Sequence, residues 1–369
     1  MASTELVKEA ERLMGICNAC RYCEGHCAVF PAMEMRFTFP AEDLRYLANL
    51  CHGCGSCFHH CQYAPPHEFN VNVPRVFDAL RRETYARHVW PSFLAPLFKR
   101  NGLATGLVTA VACIVFVVVG IVSIRRPPVR ADPGPGAFYA VVPHSVMVVL
   151  FGLAFAYALF AMAMACRRFW RESGEPGHRL SATVHNHATW DSASLRYLDG
   201  GGDGCTYPSE TPSMSRRWYH HFTFYGFLLC FAATCVAALF DWLGHPAPYP
   251  WWSAPVVLGS AGGIGLTVGT IGLLAIKARS DRVPFPRTSM DVSFLLMLLL
   301  TAVTGFLVLF FRTTAAMGIL LLIHLGVVMG LFLTLPYGKF IHGFFRYAAL
   351  ARYAIERVKR HPETRNEVI

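Results

Sequence analysis

Charge is in short supply in this sequence. Only 15% of its 369 residues are Asp, Glu, Lys or Arg, and 54% are hydrophobic. Soluble domains carry about a quarter charged residues, so the composition argues against a soluble enzyme and for a membrane protein. A Gly-x-Gly-x-x-Gly turn between strand and helix is missing, and no strand–helix alternation is visible, which leaves no place for a flavin or nicotinamide domain. No nucleophile–base constellation is present, so substrate-oxidising chemistry is expected on another polypeptide. A basic–apolar–small leader is lacking too, because residues 1–90 are polar and rich in cysteine. The N-terminus is therefore expected on the reducing, cytoplasmic side, where dense cysteine more often means metal than disulfide.

What the chain does have is apolar length. Six stretches, at approximately 103–124, 138–165, 218–241, 254–276, 290–311 and 314–336, each approach the ~20 residues that a helix needs to cross a bilayer. Residues 1–90 read as a small soluble domain and 91–337 as a transmembrane bundle with a long hydrophilic link at 166–217. Residues 338–369 read as a basic cytoplasmic tail. In the soluble part, Leu6, Ala10 and Leu13 share one helical face, and Leu44, Leu47 and Leu50 another. A third helix starts near Pro74, with Phe77 and Leu80 inward and Arg81 and Arg82 outward. The segment 89–98 looks interfacial. The formal charge of +10 is better explained by topology than by nucleic acid, for which no binding is expected. Lysine and arginine number 7, 4 and 7 on segments 166–217, 277–289 and 338–369. The opposite side holds only Arg125, Arg126, Arg130 and Arg312. Both termini are thus predicted inside a bacterial inner membrane, with Trp242, Tyr249, Trp251 and Trp252 in an outer aromatic belt.

Thirteen cysteines are unevenly spread, with eight of them between Cys17 and Cys61. Cys17-x2-Cys20-x2-Cys23-x3-Cys27 recurs 34 residues later as Cys51-x2-Cys54-x2-Cys57-x3-Cys61, each run with a histidine before its last cysteine (His26, His60). This is the spacing of two-cluster ferredoxins, in which the fourth cysteine of each run ligates the other cluster. Two [4Fe-4S] clusters are expected, one on Cys17, Cys20, Cys23 and Cys61, the other on Cys51, Cys54, Cys57 and Cys27. Zinc sites space their ligands in pairs, and disulfides suit the compartment poorly. Ala28 and Gln62 stand where proline commonly follows the fourth cysteine, and the helical insert between the runs favours an α-helical ferredoxin.

Ionisable groups in apolar spans mark sites by default. Here they are His144, His220, His221, His324 and His342. Neutral imidazole is the usual axial ligand of b-type haem, and a six-coordinate carrier needs two on facing helices. His324 and His342 are 18 residues apart, five whole turns and about 27 Å of rise on a continuous helix. One or two haems are expected, an outer one on His144 and His324 and an inner one on His342 with His220 or His221. The glycines of the fourth span, such as Gly265-x3-Gly269, suit close helix packing, or room for a flat macrocycle. His185, His187 and Cys205 in the hydrophilic link suit either a surface that shields the clusters or docks a partner, or a solvated loop.

The double cysteine run, six spans, and the segments Leu195-Arg196-Tyr197-Leu198 to Gly204-Cys205 and Arg216-Arg217-Trp218-Tyr219-His220-His221 resemble the tricarballylate (citrate) utilization protein B family over nearly the whole chain. The membrane part is also similar to the cytochrome b subunit of respiratory nitrate reductases. The resemblance implies an all-α protein that passes electrons from the reduced FAD of a tricarballylate dehydrogenase through two [4Fe-4S] clusters and haem b to membrane quinone. The same role beside another flavoprotein or a heterodisulfide-reductase-like partner is the alternative. A tricarboxylate transporter with a redox domain is disfavoured, because no inverted repeat or pair of broken helices is visible.

Overall fold

The computed structural model describes residues 3–123, 137–174, 181–245, 247–280 and 289–360. Among them every regular element is helical, and extended backbone pairs only in one isolated bridge, Cys205 with Ser213. Arg125, Arg126 and Arg130, most of the 277–289 link and residues 361–369, all used in the topology count, lie outside the described residues.

The N-terminal part consists of α1 (Ser3–Cys20), α2 (Val29–Glu34), α3 (Ala41–Leu50), α4 (Ser56–His59) and α5 (Val73–His88). Both predicted stripes are buried, Leu6, Ala10 and Leu13 on α1 and Leu44, Leu47 and Leu50 on α3. The Asn72 side chain caps α5 by accepting from the Arg75 N–H, with Pro74 in the first turn, where a missing N–H costs nothing. Arg81 departs from its expected outward position and is buried. The reason is periodicity: Phe77, Leu80, Arg81 and Thr84 lie at i, i+3, i+4 and i+7, so all four share the inner face.

The chain continues through a short 3-10 segment, Ser92–Phe98, into α6 (Asn101–Ser123), α7 (Ala137–Val141), α8 (His144–Ser173), α9 (Ala182–Ala193), α10 (Ser215–Trp242), α11 (Ala254–Arg279), α12 (Ser289–Phe310), α13 (Met317–Thr334) and α14 (His342–Arg360). Six of these helices, α6, α8, α10, α11, α12 and α13, are long and apolar enough to cross a membrane. Their outward faces leave large apolar side chains uncovered, such as Leu107, Val111 and Val118 on α6 and Val257 and Ile264 on α11, which is the surface a lipid-facing helix presents.

Two predicted spans change shape at prolines. The second does not run unbroken from residue 138, because Pro143 separates α7 from α8 and becomes the N-cap of α8. The last does not continue to His342. The helix ends at Thr334 and passes through two 3-10 turns, Leu335–Tyr337 and Lys339–Ile341, around an extended Gly338. His324 and His342 therefore stand on different helices, and the five-turn phase argument does not apply.

Glycine decides how the bundle closes. A Cβ at Gly262 would lie 2.7 Å from the Cys230 backbone nitrogen, and one at Gly269 would strike Thr223, so α11 packs backbone to backbone on α10. Close packing, rather than space for a macrocycle, is thus the use of this glycine face.

The segment expected as a basic tail forms, through Arg360, the packed helix α14. Its Ala349, Leu350, Ala351, Tyr353, Ala354 and Ile355 are buried in the same apolar cluster as Leu13, Phe30, Leu44 and Phe77 of the N-terminal part. Arg36 and Arg352 sandwich the Tyr46 ring at 4.8 and 4.1 Å, while Glu356 accepts from Tyr46 at 2.9 Å and pairs with both arginines. At the end of α8, Glu172 accepts from Arg45 (2.7 Å), His88 (2.6 Å) and Arg87 (3.2 Å). These two networks weld the cysteine-bearing part to the helices that follow.

Candidate functional site

The eight N-terminal cysteines stand where α1, α4 and their connecting turns converge. Cys17 and Cys20 lie in the last turn of α1, and Cys57 in α4. Cys51 caps α3, and Gly53 and Gly55, both at positive φ, turn the backbone so that Cys51, Cys54 and Cys57 line one loop. A cavity of about 270 Å3 is bordered by Cys17, Cys20, Cys23, Cys57 and Cys61, and a smaller one of about 10 Å3 by Cys27, Cys51, Cys54 and Cys57. Each cavity thus takes three cysteines of one run and the fourth of the other, with Cys57 bordering both. Among the described residues no three His, Cys, Asp or Glu side chains converge as the ligands of a single ion would. The thiols instead ring a volume, which suits a polynuclear cluster.

Electrostatics follows the same partition. Burial, then the neighbouring Cys23, Cys61 and Cys20, push the Cys17 thiol up to about 12. Burial and Cys54 and Cys51, rather than its own run, raise Cys27 most. Thiols crowded in this way ionise only against bound cations, which is the condition that iron supplies. The donor set therefore fits iron–sulfur clusters.

The two sites differ in their surroundings. Cys17, Cys20, Cys23 and Cys61 are half-buried and neighbour the exposed Tyr22; Cys51 and Cys54 are buried. Sequence reasoning missed what encloses the second site. Arg81 of α5 donates to the carbonyls of Cys51 (2.6 Å) and Ala48 (3.3 Å). Arg346 of α14 donates to Cys51 (2.6 Å) and Asn49 (3.4 Å), and Arg216 of α10 to His52 (3.0 Å) and Gly53. Burial, with Arg81 nearby, pushes Arg346 down to about 10. His52, also unforeseen, is buried with Nδ1 2.9 Å from the Leu50 carbonyl, and among the described residues Nε2 has no hydrogen-bond partner. Burial, then Arg346, holds it well below the usual histidine range.

Residues 195–207 of the hydrophilic link pack against these sites. The turns at Gly200 and Gly201, both at positive φ, set their Cα atoms against Ser56 and against Gly25 and His26, where any side chain would collide. Cys205 is fully buried beside Cys54 and Tyr207, and donates to the Leu198 carbonyl at 3.2 Å. Burial pushes its thiol up to about 12. His185 bonds the Tyr347 hydroxyl at 2.6 Å, and His187 is buried on α9. Residues 195–207 of this link are thus packed against the cysteine-bearing part rather than forming a solvated loop.

The histidines divide by depth. His220, on the second turn of α10, faces His342 at the start of α14, with ring centroids 6.2 Å apart and planes at 70°. His342 places Nδ1 2.5 Å from the Lys339 carbonyl, while among the described residues the buried Nδ1 of His220 meets no other side chain's donor or acceptor. Neighbouring His221 stacks instead on Tyr225. His324 sets Nδ1 2.8 Å from Thr304 Oγ1, its ring beside Gly305. Thr304 donates its own proton to Leu300, so the imidazole donates and Nε2 keeps its lone pair. His144 directs Nδ1 to Asp241 at 2.8 Å. In three of the five rings one nitrogen is thus held by an oxygen, the arrangement that orients a metal-ligating histidine.

The model of the citrate utilization protein B family matches residues 92–363, and that of its Fer4-like domain matches residues 10–87. The chain is 47% identical over 361 residues to citrate utilization protein B of Escherichia coli, covering 96% of this chain and 93% of that protein. No solved structure matches.

Proposed function

This chain belongs to the citrate utilization protein B family, and from that premise we propose that it is the membrane electron-transfer subunit of a flavoprotein dehydrogenase. Electrons enter from the reduced FAD of a tricarballylate-oxidising partner and leave to membrane quinone. The observation that carries the reading is the succession from the two cysteine-bordered cavities, through residues 49–53 and the Arg216 and Arg346 that bond them, to the facing pair His220 and His342 on the same two helices.

Cys17, Cys20, Cys23 and Cys61 hold one [4Fe-4S] cluster, and Cys27, Cys51, Cys54 and Cys57 the other. The partition of the cavities and of the thiol repulsions supports this crossed set. His220 and His342 hold an inner haem b. Facing each other with ring centroids 6.2 Å apart, these two imidazoles are the side chains that would hold it. His144 and His324 are assigned to a second, outer haem, each with Nδ1 already engaged. Clusters and haem supply reversible one-electron chemistry when bound. The chain's own work is to bury them, fix their order and exclude water. The half-buried first site receives electrons, and the enclosed second site hands them to the helices.

The deciding experiment is a dithionite-reduced minus oxidised spectrum of the detergent-purified chain, with iron and haem quantified. About eight iron atoms from two four-iron clusters, plus a b-type band, is the expected result. Iron without haem would return the histidines to structural roles, and iron near four would remove the second cluster.

A further inference from the structure

The second cysteine site lies inside an unbalanced cluster of positive charge. Arg81, Arg216 and Arg346 come from three different helices and all point their guanidinium groups at the carbonyls of residues 48–53. Arg81 also pairs with Asp78 at 3.2 Å. The hydrogen bonds of Arg216 and Arg346 go to carbonyl oxygens, so among the described residues no carboxylate neutralises either. Both are half-buried, Arg216 over the Tyr207 ring at 4.7 Å, and half-buried guanidinium groups held by dipoles are retained where an anion completes the site. Apolar and polar uncharged side chains and cysteines make most of both cavity borders; the three guanidinium groups stand behind the second, at the carbonyls of residues 48–53.

We propose that Arg81, Arg216 and Arg346 are positioning residues that act as the counter-charge of the second cluster, raising its reduction potential above that of the first. This inference rests on the two-cluster reading above. A four-iron core with four thiolates is a net anion, and one-electron reduction makes it more negative. Fixed positive charge in a dry site favours the reduced form. At the first site the matching contact is Arg21 to the Asn18 carbonyl at 3.1 Å, from an exposed side chain that water screens, so electrons arriving there run downhill to the second. Arg216 stands four residues before His220 and Arg346 four after His342, so the groups that tune the cluster also tie it to the helices that carry the histidine pair.

The test is a potentiometric titration, followed by electron paramagnetic resonance, of full-length protein in detergent. It compares Arg346→Gln, Arg216→Gln and the charge-keeping Arg346→Lys with the unaltered chain. The expected result is that each Gln variant lowers one midpoint by about 59 mV or more, a tenfold change for one electron, while Arg346→Lys holds it. The affected signal should be the one lost in Cys54→Ser. Loss of that cluster from both Gln variants with retention in Arg346→Lys would equally support the charge role. Equal shifts of both clusters, unchanged midpoints in loaded variants, or loss in Arg346→Lys as well would overturn it. A single reducible cluster in the unaltered chain would instead remove the two-cluster reading itself.

Discussion

At the scale of single residues, Cys27 separates crossed from local ligation. Its thiol is raised mainly by burial, Cys54 and Cys51, so Cys27→Ser should perturb the cluster of the Cys51–Cys57 run more than that of its own run. Spectra in which only the first cluster changes would contradict the assignment. The cysteines were legible because a fixed spacing repeated twice has few other uses. Arg81, Arg216, Arg346 and His52 were not, because nothing in their local sequence marks a side chain that bonds a carbonyl from a distant segment. Arg81 had a readable signal: the helical period from Phe77 already put it on the inner face. For Arg216 and Arg346 the partners are more than a hundred residues away in sequence, and only the fold brings them to the loop.

Helices are the scale at which the histidines and glycines act. His220 on α10 and His342 on α14 form one facing pair, so His220→Ala and His342→Ala should lose the same part of the haem band. The double variant should lose no more, since paired sites are not additive. Haem quantified per chain checks this, and separate, additive losses would break the pairing. Close packing of α11 on α10 gives a second expectation. Gly269→Leu would drive a side chain into Thr223 and the Tyr219 carbonyl, and should destabilise the bundle by about 1–3 kcal/mol, the usual cost of overpacking. A lower thermal midpoint in detergent is the readout. The glycine-rich face was visible in the sequence, since small residues at four-residue intervals have a geometric purpose. Where the last span ends was not. Pro336 and Gly338 marked a weak point, but whether a helix bends or stops there is decided by what packs around it.

For the whole molecule, the boundary near residue 90 reads well as a change in composition and poorly as a division of the core. Removal of α14 would take Leu350, Tyr353 and Ile355 out of the apolar cluster of the N-terminal part, Glu356 away from Arg36 and Tyr46, and Arg352 away from Asp43 and Tyr46. A chain ending at residue 341 should therefore hold less iron than the full chain, even though all eight cysteines remain. Full iron loading by the shortened chain would show that the N-terminal part is self-sufficient. Glu356→Ala is the gentler form of the same test. It removes one of the two carboxylates that Arg36 and Arg352 share, leaving Asp43 to both, and should cost about 1–3 kcal/mol, read as a fall in thermal midpoint.

The glycine turns at 200–204 bear on how such a protein is made. They press on Gly25, His26 and Ser56, yet they are encoded far downstream, after two of the membrane helices. While the polypeptide is still emerging, the cysteine loops lie uncovered and accessible to whatever delivers iron and sulfide. Once the link folds back, its turns cover the inner cavity on the side of Gly25, His26 and Ser56. A four-iron group would therefore enter either before the link folds back or through its reopening. A cluster lost afterwards could be replaced only by reopening that cover, so damage by oxygen would be resisted well but repaired slowly.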